Sequence, residues 1–222
     1  MTYQKERYPF AGYFFLIGSF SFSAIAYSRI CRGLTEFVSP DKFFVCIFNT
    51  VTLFFILRIL DEFKDHEDDQ KYRPYLPVPR GLISLHELKY IGLFTLALQL
   101  LVTVVFFPKM LLLLAMVYGY LFYMSNEFYV KKWLKQNQFW YVTSHMLIIP
   151  LVDVFASGFD WLLDKATVPV GLAFFFAVSF MNGIVLEIGR KIKAPEQEEK
   201  GVLSYTFQLG TKHAVVFWIF IL

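Results

Sequence analysis

The chain reads FFVCIFNTVTLFFILRIL over residues 43–60 and DEFKDHEDD over residues 61–69. A helix needs about 20 mostly apolar residues to cross a membrane, so the first part predicts a transmembrane helix. Asp61, Asp65 and Asp69 then recur every four residues, a spacing that puts them on one helix face. Carboxylates so placed repel one another unless a cation lies among them. We therefore expect Mg²⁺, which is usually held by one or two carboxylates together with phosphate oxygens of a substrate.

Long apolar runs dominate the rest of the chain, which contains 27 phenylalanines and is 57% hydrophobic. The runs are too long for barrel strands and lack their period-2 alternation, so we expect an all-α, polytopic transmembrane helical bundle. We treat residues 1–222 as a single integral-membrane domain. Its last apolar segment has about 10 residues, too few to cross a membrane, so we expect the domain to be C-terminally incomplete. The seven predicted segments lie near residues 10–28, 42–60, 88–107, 109–125, 138–156, 168–186 and 213–222.

Positive charge is distributed unevenly between the two sides of the predicted bundle. By the positive-inside rule, the N-terminus and the even-numbered loops face the cytoplasm, and we expect the protein in the cell inner membrane. The acidic motif lies on the same side. One side carries Lys5, Arg7, Lys64, Lys71, Arg73, Arg80, Lys89, Lys131, Lys132, Lys135, Arg190, Lys191, Lys193, Lys200 and Lys212. The other carries only Arg29, Arg32, Lys42, Lys109 and Lys165.

Three loops on this cytoplasmic side carry residue types that bind phosphate. The second loop continues past the aspartates as KYRPYLPVPRGLIS over residues 71–84, where alternating prolines exclude a regular helix. Ser84 and Glu87 predict a capping box for the helix that follows. Arginine binds phosphate oxygens in a bidentate manner, and lysine binds them as a point charge. The candidate phosphate ligands in these loops are Arg73, Arg80 and Lys131.

Together these segments resemble the UbiA superfamily of intramembrane prenyltransferases. The first family motif corresponds to Asp61-Glu62-x-x-Asp65-x-x-x-Asp69, and the proline segment fits at Pro77, Pro79, Gly81 and Ser84, with Leu76 where arginine is usual. A Tyr-x-Lys pattern is carried by Tyr129 and Lys131, and the ending Gly201…Leu209-Gly210 is family-like. At the position of the second aspartate motif this chain has Glu187, followed by the basic Arg190 and Lys191.

The resemblance implies Mg²⁺-assisted transfer of a prenyl group from a polyprenyl diphosphate to an aromatic or other lipophilic acceptor. Asp61, Asp65 and Asp69 would be catalytic and, with Glu187, would hold the metal. Arg73, Arg80 and Lys131 would add positive charge around the diphosphate. At the second motif, Arg190 or Lys191 would bind the diphosphate directly, in place of a second metal ion. The expected partners are these two substrates and membrane lipid, and no nucleic acid. Candidate residues of the acceptor pocket are Asn49, His145, Asp153 and Asn182, although His145 also suits a helix–helix hydrogen bond.

Several other interpretations compete with this one. The aspartates are also compatible with a solvated acidic loop, and the lysines with charges that set membrane topology. A CDP-alcohol phosphotransferase also uses aspartates and a metal, but the Asp-Gly and Ala-Arg pairs of its motif are missing near Asp61. A non-catalytic transporter or lipid-binding protein is the other alternative. Transporters more often show broken helices at the membrane midplane, whereas the polar residues here gather at one surface.

Overall fold

The computed structural model describes residues 2–198 and 204–222, and every regular element in these two ranges is a helix. Lys200 and Gly201, which the sequence analysis singled out, lie outside the described residues. The α-helices are α1 (Thr2–Arg7), α2 (Phe10–Cys31), α3 (Pro40–Lys64), α4 (His66–Tyr72), α5 (Leu85–Phe106), α6 (Leu111–Ser125), α7 (Lys131–Gln136), α8 (Gln138–Met146), α9 (Ile148–Trp161), α10 (Leu172–Gly189), α11 (Tyr205–Leu209) and α12 (Thr211–Ile221).

Six helical segments of the described chain are long and apolar enough to cross a membrane, which is compatible with an integral membrane protein. They confirm the all-helical prediction and the position of six predicted segments. The seventh corresponds to α12, which has 11 residues. The six segments are α2, α3, α5, Pro108–Ser125, which joins a 3-10 turn to α6, Gln138–Trp161, which comprises α8 and α9, and α10.

The predicted boundaries differ from the observed ones at several ends. The second segment, predicted to end at residue 60, continues through the charged residues to Lys64, because helical hydrogen bonds extend beyond the apolar part. The sixth was predicted from residue 168 but begins at Leu172, after the irregular segment that contains Pro169. The fifth is interrupted at Leu147, where Pro150 has no N–H to donate to the preceding turn. The predicted capping box at Ser84 and Glu87 is confirmed.

Helix α9 lies at the centre of the bundle and packs against α2, α3, α6, α8 and α10. Phe155, Ala156 and Phe159 of this helix are fully buried in the main hydrophobic core. Gly158 allows α6 to approach closely, since a Cβ atom at this position would lie 2.4 Å from Cδ1 of Leu113. Small residues at helix contacts are typical of membrane bundles, where association depends on close packing.

A hydrogen-bonded network links three of the spanning helices inside the bundle. Thr103 of α5 donates to Oδ1 of Asn49 in α3 (2.8 Å), and Gln99 donates to the Asn49 carbonyl (2.7 Å). Tyr118 of α6 donates to Gln99. Asn49 thus joins α3 to α5 through its side-chain oxygen and its backbone carbonyl, while its side-chain amide donates to the carbonyl of Val45 within α3.

A charged cluster connects two helices at the end of the bundle opposite Asp61. Asp160 of α9 is fully buried and accepts hydrogen bonds from Ser28 (2.7 Å), Arg29 (3.1 Å) and Arg32 (2.6 Å). Asp164, whose side chain is 28% exposed, accepts from the same two arginines. The cluster ties the end of α2 to the end of α9, which run in the same direction along the core.

We expect Asp160→Asn to lower the free energy of unfolding by about 2 to 3 kcal/mol, because it removes the charge that pairs with two largely buried arginines. Thermal unfolding of the protein in detergent measures this effect. Asp164→Asn is the matched control and should cost less, since its carboxylate is partly solvated. Equal losses for the two variants would contradict the importance assigned to the buried pair.

Candidate anion-binding cavity

A polar cavity of ≈ 650 Å³ opens at the end of the bundle that carries Asp61. Nine basic side chains line it against four acidic ones, so the cavity as a whole favours an anion. The basic residues come from α1, α3, the loop after α4, α7 and the segment after α10. They are Arg7, Arg58, Lys64, Arg73, Lys131, Lys135, Arg190, Lys191 and Lys193, and the acidic residues are Asp61, Asp65, Asp68 and Glu127.

The three aspartates of the first motif do not share one environment. Asp61 and Asp65 line the cavity, with Asp65 at the junction between α3 and α4. Asp69 is 2% exposed and pairs with Arg73 (2.7 Å), with Arg7 at 4.0 Å. Burial raises the pKa of Asp69, and the neighbouring Arg73 opposes this shift. Asp69 therefore holds arginines in place, whereas Asp61 and Asp65 face the ligand space.

The predicted Mg²⁺ requires carboxylate oxygens that lie close together on the cavity wall. Within residues 2–198 and 204–222, no three His, Cys, Asp or Glu side chains converge on one point in a way that would hold a metal ion. Mg²⁺ needs fewer protein ligands than that, since one or two carboxylates and substrate phosphates suffice. Asp61 and Asp65 supply two carboxylates on one wall of a cavity that favours anions. The residues present thus fit an ion that binds together with a phosphorylated ligand.

Carboxylates buried behind the cavity wall hold many of its basic side chains. Glu62 is 2% exposed and accepts hydrogen bonds from Arg7 (2.6 Å) and Arg58 (2.9 Å). Glu187 pairs with Lys191 (3.0 Å) and with Arg190. Both oxygens of Glu187 are therefore occupied by basic groups, an arrangement different from the free metal ligand that the sequence analysis predicted. The paired groups behind the wall are Glu62 with Arg7 and Arg58, Asp69 with Arg7 and Arg73, and Glu187 with Arg190 and Lys191.

The predicted diphosphate ligands separate into two groups. Arg73, Lys131, Arg190 and Lys191 line the cavity together. Arg80 is not brought to it, because its guanidinium donates to Glu6 (2.7 Å) and to the carbonyl of Tyr75 (3.1 Å). Lys131 is exposed and has no ion pair within the part of the chain that the structure describes.

The four candidate acceptor residues do not form one pocket. Asn49 belongs to the interhelical network, and Asn182 is exposed on α10. Asp153 is fully buried in α9, beside Ser179. His145 alone lies next to the cavity, 3.7 Å from Glu127.

Several residues of the cavity were not predicted as ligands. Arg7, Lys64 and Lys135 had been interpreted only as charges that set topology, and Arg58 precedes Asp61 by one helical turn on the same face. Glu127 and Tyr141 also line the cavity. The spacing of Arg58, Asp61 and Lys64 was a usable signal, whereas the contribution of Arg7 depends on the folding of α1 against α3.

Comparisons of the chain with protein-family models, curated proteins and solved structures found no match. The fold and the site together define a class of protein: an all-helical bundle, compatible with membrane insertion, with a basic cavity at one end.

A second, apolar cavity of ≈ 580 Å³ lies between α3, α5 and α6. Leu60 lines the apolar cavity and the next residue, Asp61, lines the basic one. Ser125, the last residue of α6, lines the apolar cavity, and Glu127, in the turn that follows α6, lines the basic one. The remaining walls are Ile56 of α3, Leu96 and Leu100 of α5, and Leu111, Leu114, Ala115, Tyr118, Leu121 and Phe122 of α6.

We expect Lys131→Gln to weaken binding of inorganic diphosphate about tenfold, because it removes one charge-assisted hydrogen bond without leaving a carboxylate unpaired. The measurement is the ligand-induced increase in thermal stability, which depends on the ratio of ligand concentration to Kd. Lys132→Gln is the matched control, since Lys132 shares the loop and the charge but does not line the cavity. Similar affinities for the two variants would indicate that these lysines serve membrane topology only.

Proposed function

We propose that this protein is a membrane prenyltransferase that moves a prenyl group from a polyprenyl diphosphate to an aromatic or other lipophilic acceptor. The observation that supports this most directly is the presence of one basic and one apolar cavity whose linings include the consecutive residues Leu60 and Asp61 of α3. Together they match an amphiphile with a diphosphate head and a hydrocarbon tail. The motifs that resemble those of the UbiA superfamily support the same function. In this proposal the positive-inside rule puts the basic cavity on the cytoplasmic face of the cell inner membrane.

The basic side chains of the cavity bind and orient the diphosphate. Arg73, Arg190 and Lys191 are each held by a buried carboxylate, so their charges are positioned before the ligand arrives. Charges positioned in advance stabilise the negative charge that develops on the leaving diphosphate, because no reorganisation is needed as the C–O bond breaks. Lys131 adds a further positive charge from α7.

Asp61 and Asp65 are the residues that would hold Mg²⁺, in both cases through carboxylate oxygens on the cavity wall. The bound ion would supply Lewis-acid stabilisation of the phosphate oxygens. Tyr141 presents an aromatic ring to the same cavity, with the ammonium groups of Lys191 and Lys64 at 5.3 Å and 5.9 Å from the ring centroid. The ring thus helps to hold these two ammonium groups at the cavity wall.

We expect Asp65→Asn to reduce release of diphosphate from a prenyl diphosphate about 100-fold, because the amide keeps the shape of the side chain but loses the charge that would hold the cation. The assay uses the purified protein in lipid with Mg²⁺ and radiolabelled prenyl diphosphates of several lengths. Both free diphosphate and prenylated products are quantified.

Glu67→Gln is the matched control for this experiment. Glu67 lies two residues from Asp65, is exposed and does not line the cavity, so its replacement should leave release unchanged. Wild-type protein that binds the diphosphates but releases none, at any tail length, would contradict the proposal and favour a non-catalytic lipid-binding protein or transporter.

We expect Ala115→Trp to shift substrate preference toward shorter prenyl tails, because the indole ring would fill part of the apolar cavity between α3, α5 and α6. The measurement compares the apparent KM of prenyl diphosphates of increasing length. Met116→Trp is the control, since Met116 is the neighbouring residue of α6 and does not line this cavity. Parallel changes at every tail length would show that the tail lies elsewhere.

A further inference from the structure

Two polar atoms face each other beside the basic cavity without a hydrogen bond. They are Oε2 of Glu127 and Nε2 of His145, 3.7 Å apart. Both atoms are buried, and neither has a hydrogen-bond partner within the described residues. Unpaired buried polar atoms cost free energy, so such a pair calls for an explanation in a folded structure.

The other ring nitrogen of His145 determines what the pair can do. Nδ1 lies 2.8 Å from the carbonyl oxygen of Tyr141, an acceptor, so Nδ1 carries the hydrogen in this arrangement. In the neutral ring Nε2 then presents its lone pair to the carboxylate oxygen. Two acceptors facing each other leave a place for one proton, which would convert the 3.7 Å separation into a hydrogen bond.

The backbone around Glu127 is held in a conformation that L-residues seldom adopt. Glu127, Phe128 and Tyr129 have φ angles of 51°, 51° and 60°, and none of them is glycine. Such conformations are unfavourable and persist where the surrounding structure enforces them, commonly at functional sites. The Phe128 ring packs edge-on against His145 at 6.0 Å, so the strained turn also fixes the imidazole.

Access to the ligand space differs between the two residues. Glu127 lines the basic cavity, whereas His145 lies behind it, stacked on Tyr141 with ring centroids 4.1 Å apart. Lys64 lies 4.0 Å from Oε1 of Glu127 and stabilises the carboxylate before a proton arrives. Burial nevertheless raises the pKa of Glu127, against the effect of Lys64, which favours proton uptake.

We propose that Glu127 is the proton-accepting catalytic residue of the cavity and that His145 is its positioning residue. The inference rests on the proposed prenyl transfer. The acceptor would be a molecule with an acidic X–H group, such as a phenol. As the C1–O bond breaks, its electron pair leaves with the diphosphate, and a bond forms between C1 and the acceptor atom X. The proton of X passes to Oε1 of Glu127, and rotation of the carboxyl group about its Cγ–Cδ bond then lets the O–H donate a hydrogen bond to Nε2 of His145. No oxidation or reduction is involved.

The first test does not depend on activity and uses the full chain in lipid nanodiscs with ¹⁵N-labelled histidine. The Nε2 resonance, assigned with His145→Gln, should change in one step as the pH is lowered, and Glu127→Gln should displace or abolish that step. An unchanged step would overturn the pairing. The charged groups around the pair, which contribute to the titration, are Lys64 and Asp65 near the end of α3, Lys131 and Lys135 of α7, and Glu187 and Lys191 at the end of α10.

The second test separates diphosphate departure from transfer, with a long-chain prenyl diphosphate and a panel of phenols as probes. Glu127→Gln should keep diphosphate release, with water capturing the prenyl group, and should lower prenylation of the phenols at least tenfold. Glu127→Asp should restore part of it. His145→Gln should shift the pH profile of transfer and leave diphosphate release intact.

The outcomes distinguish the inference from the proposed function. Full transfer by Glu127→Gln would overturn the catalytic assignment while leaving the prenyltransferase intact. Absence of diphosphate release by the wild-type protein would instead contradict the prenyltransferase, and the histidine titration would still decide whether the pair shares a proton. Glu36→Gln, on the opposite side of the bundle, is the control carboxylate and should match wild type in both tests.

Discussion

The basic cavity depends on pairing between its cationic side chains and carboxylates buried behind them. Nine basic groups in one space repel each other, and the four acidic groups of the lining do not balance them. The missing negative charge comes from behind the wall, where each of three buried carboxylates contacts two basic residues of the lining. The pairing fixes the cationic groups without filling the cavity, so the surplus positive charge remains directed at the ligand space. The three are Glu62, Asp69 and Glu187.

Inside the bundle, polar groups must find their hydrogen-bond partners within the protein, because hydrocarbon offers none. Asn49 shares its hydrogen bonds with α5, and Asp160 accepts from Ser28 and two arginines at the far end. These groups are therefore committed to holding helices together. Oε2 of Glu127 and Nε2 of His145 differ from the other unpaired atoms next to the cavity, such as Nε of Arg58 and of Arg73, because they face each other, and this makes them candidates for chemistry.

The sequence predicted the helical spans well, because a helix that crosses a membrane needs an apolar run long enough to match the thickness of the membrane. The order of the predicted spans also indicated that Asp61, Asp65 and the basic loops lie at the same end of the bundle. The pairing of Asp69 with Arg7 was not predicted, because spacing within one helix carries no information about side chains that come from another. The pairing with Arg73, four residues after Asp69, was a contact that helical spacing could have indicated. Likewise, no sequence pattern predicted the positive φ angles of the non-glycine residues 127–129.

The charge balance also constrains the order in which ligands enter. A bare divalent cation would meet the repulsion of nine basic side chains, which outnumber the four acidic side chains of the lining. A diphosphate neutralises much of this surplus and adds phosphate oxygens, which are the ligands that Mg²⁺ prefers alongside carboxylates. The cavity therefore favours entry of metal and diphosphate together over a resident ion. In the proposed function, two partly buried aspartates would therefore suffice where an independent metal site would require a larger ligand set.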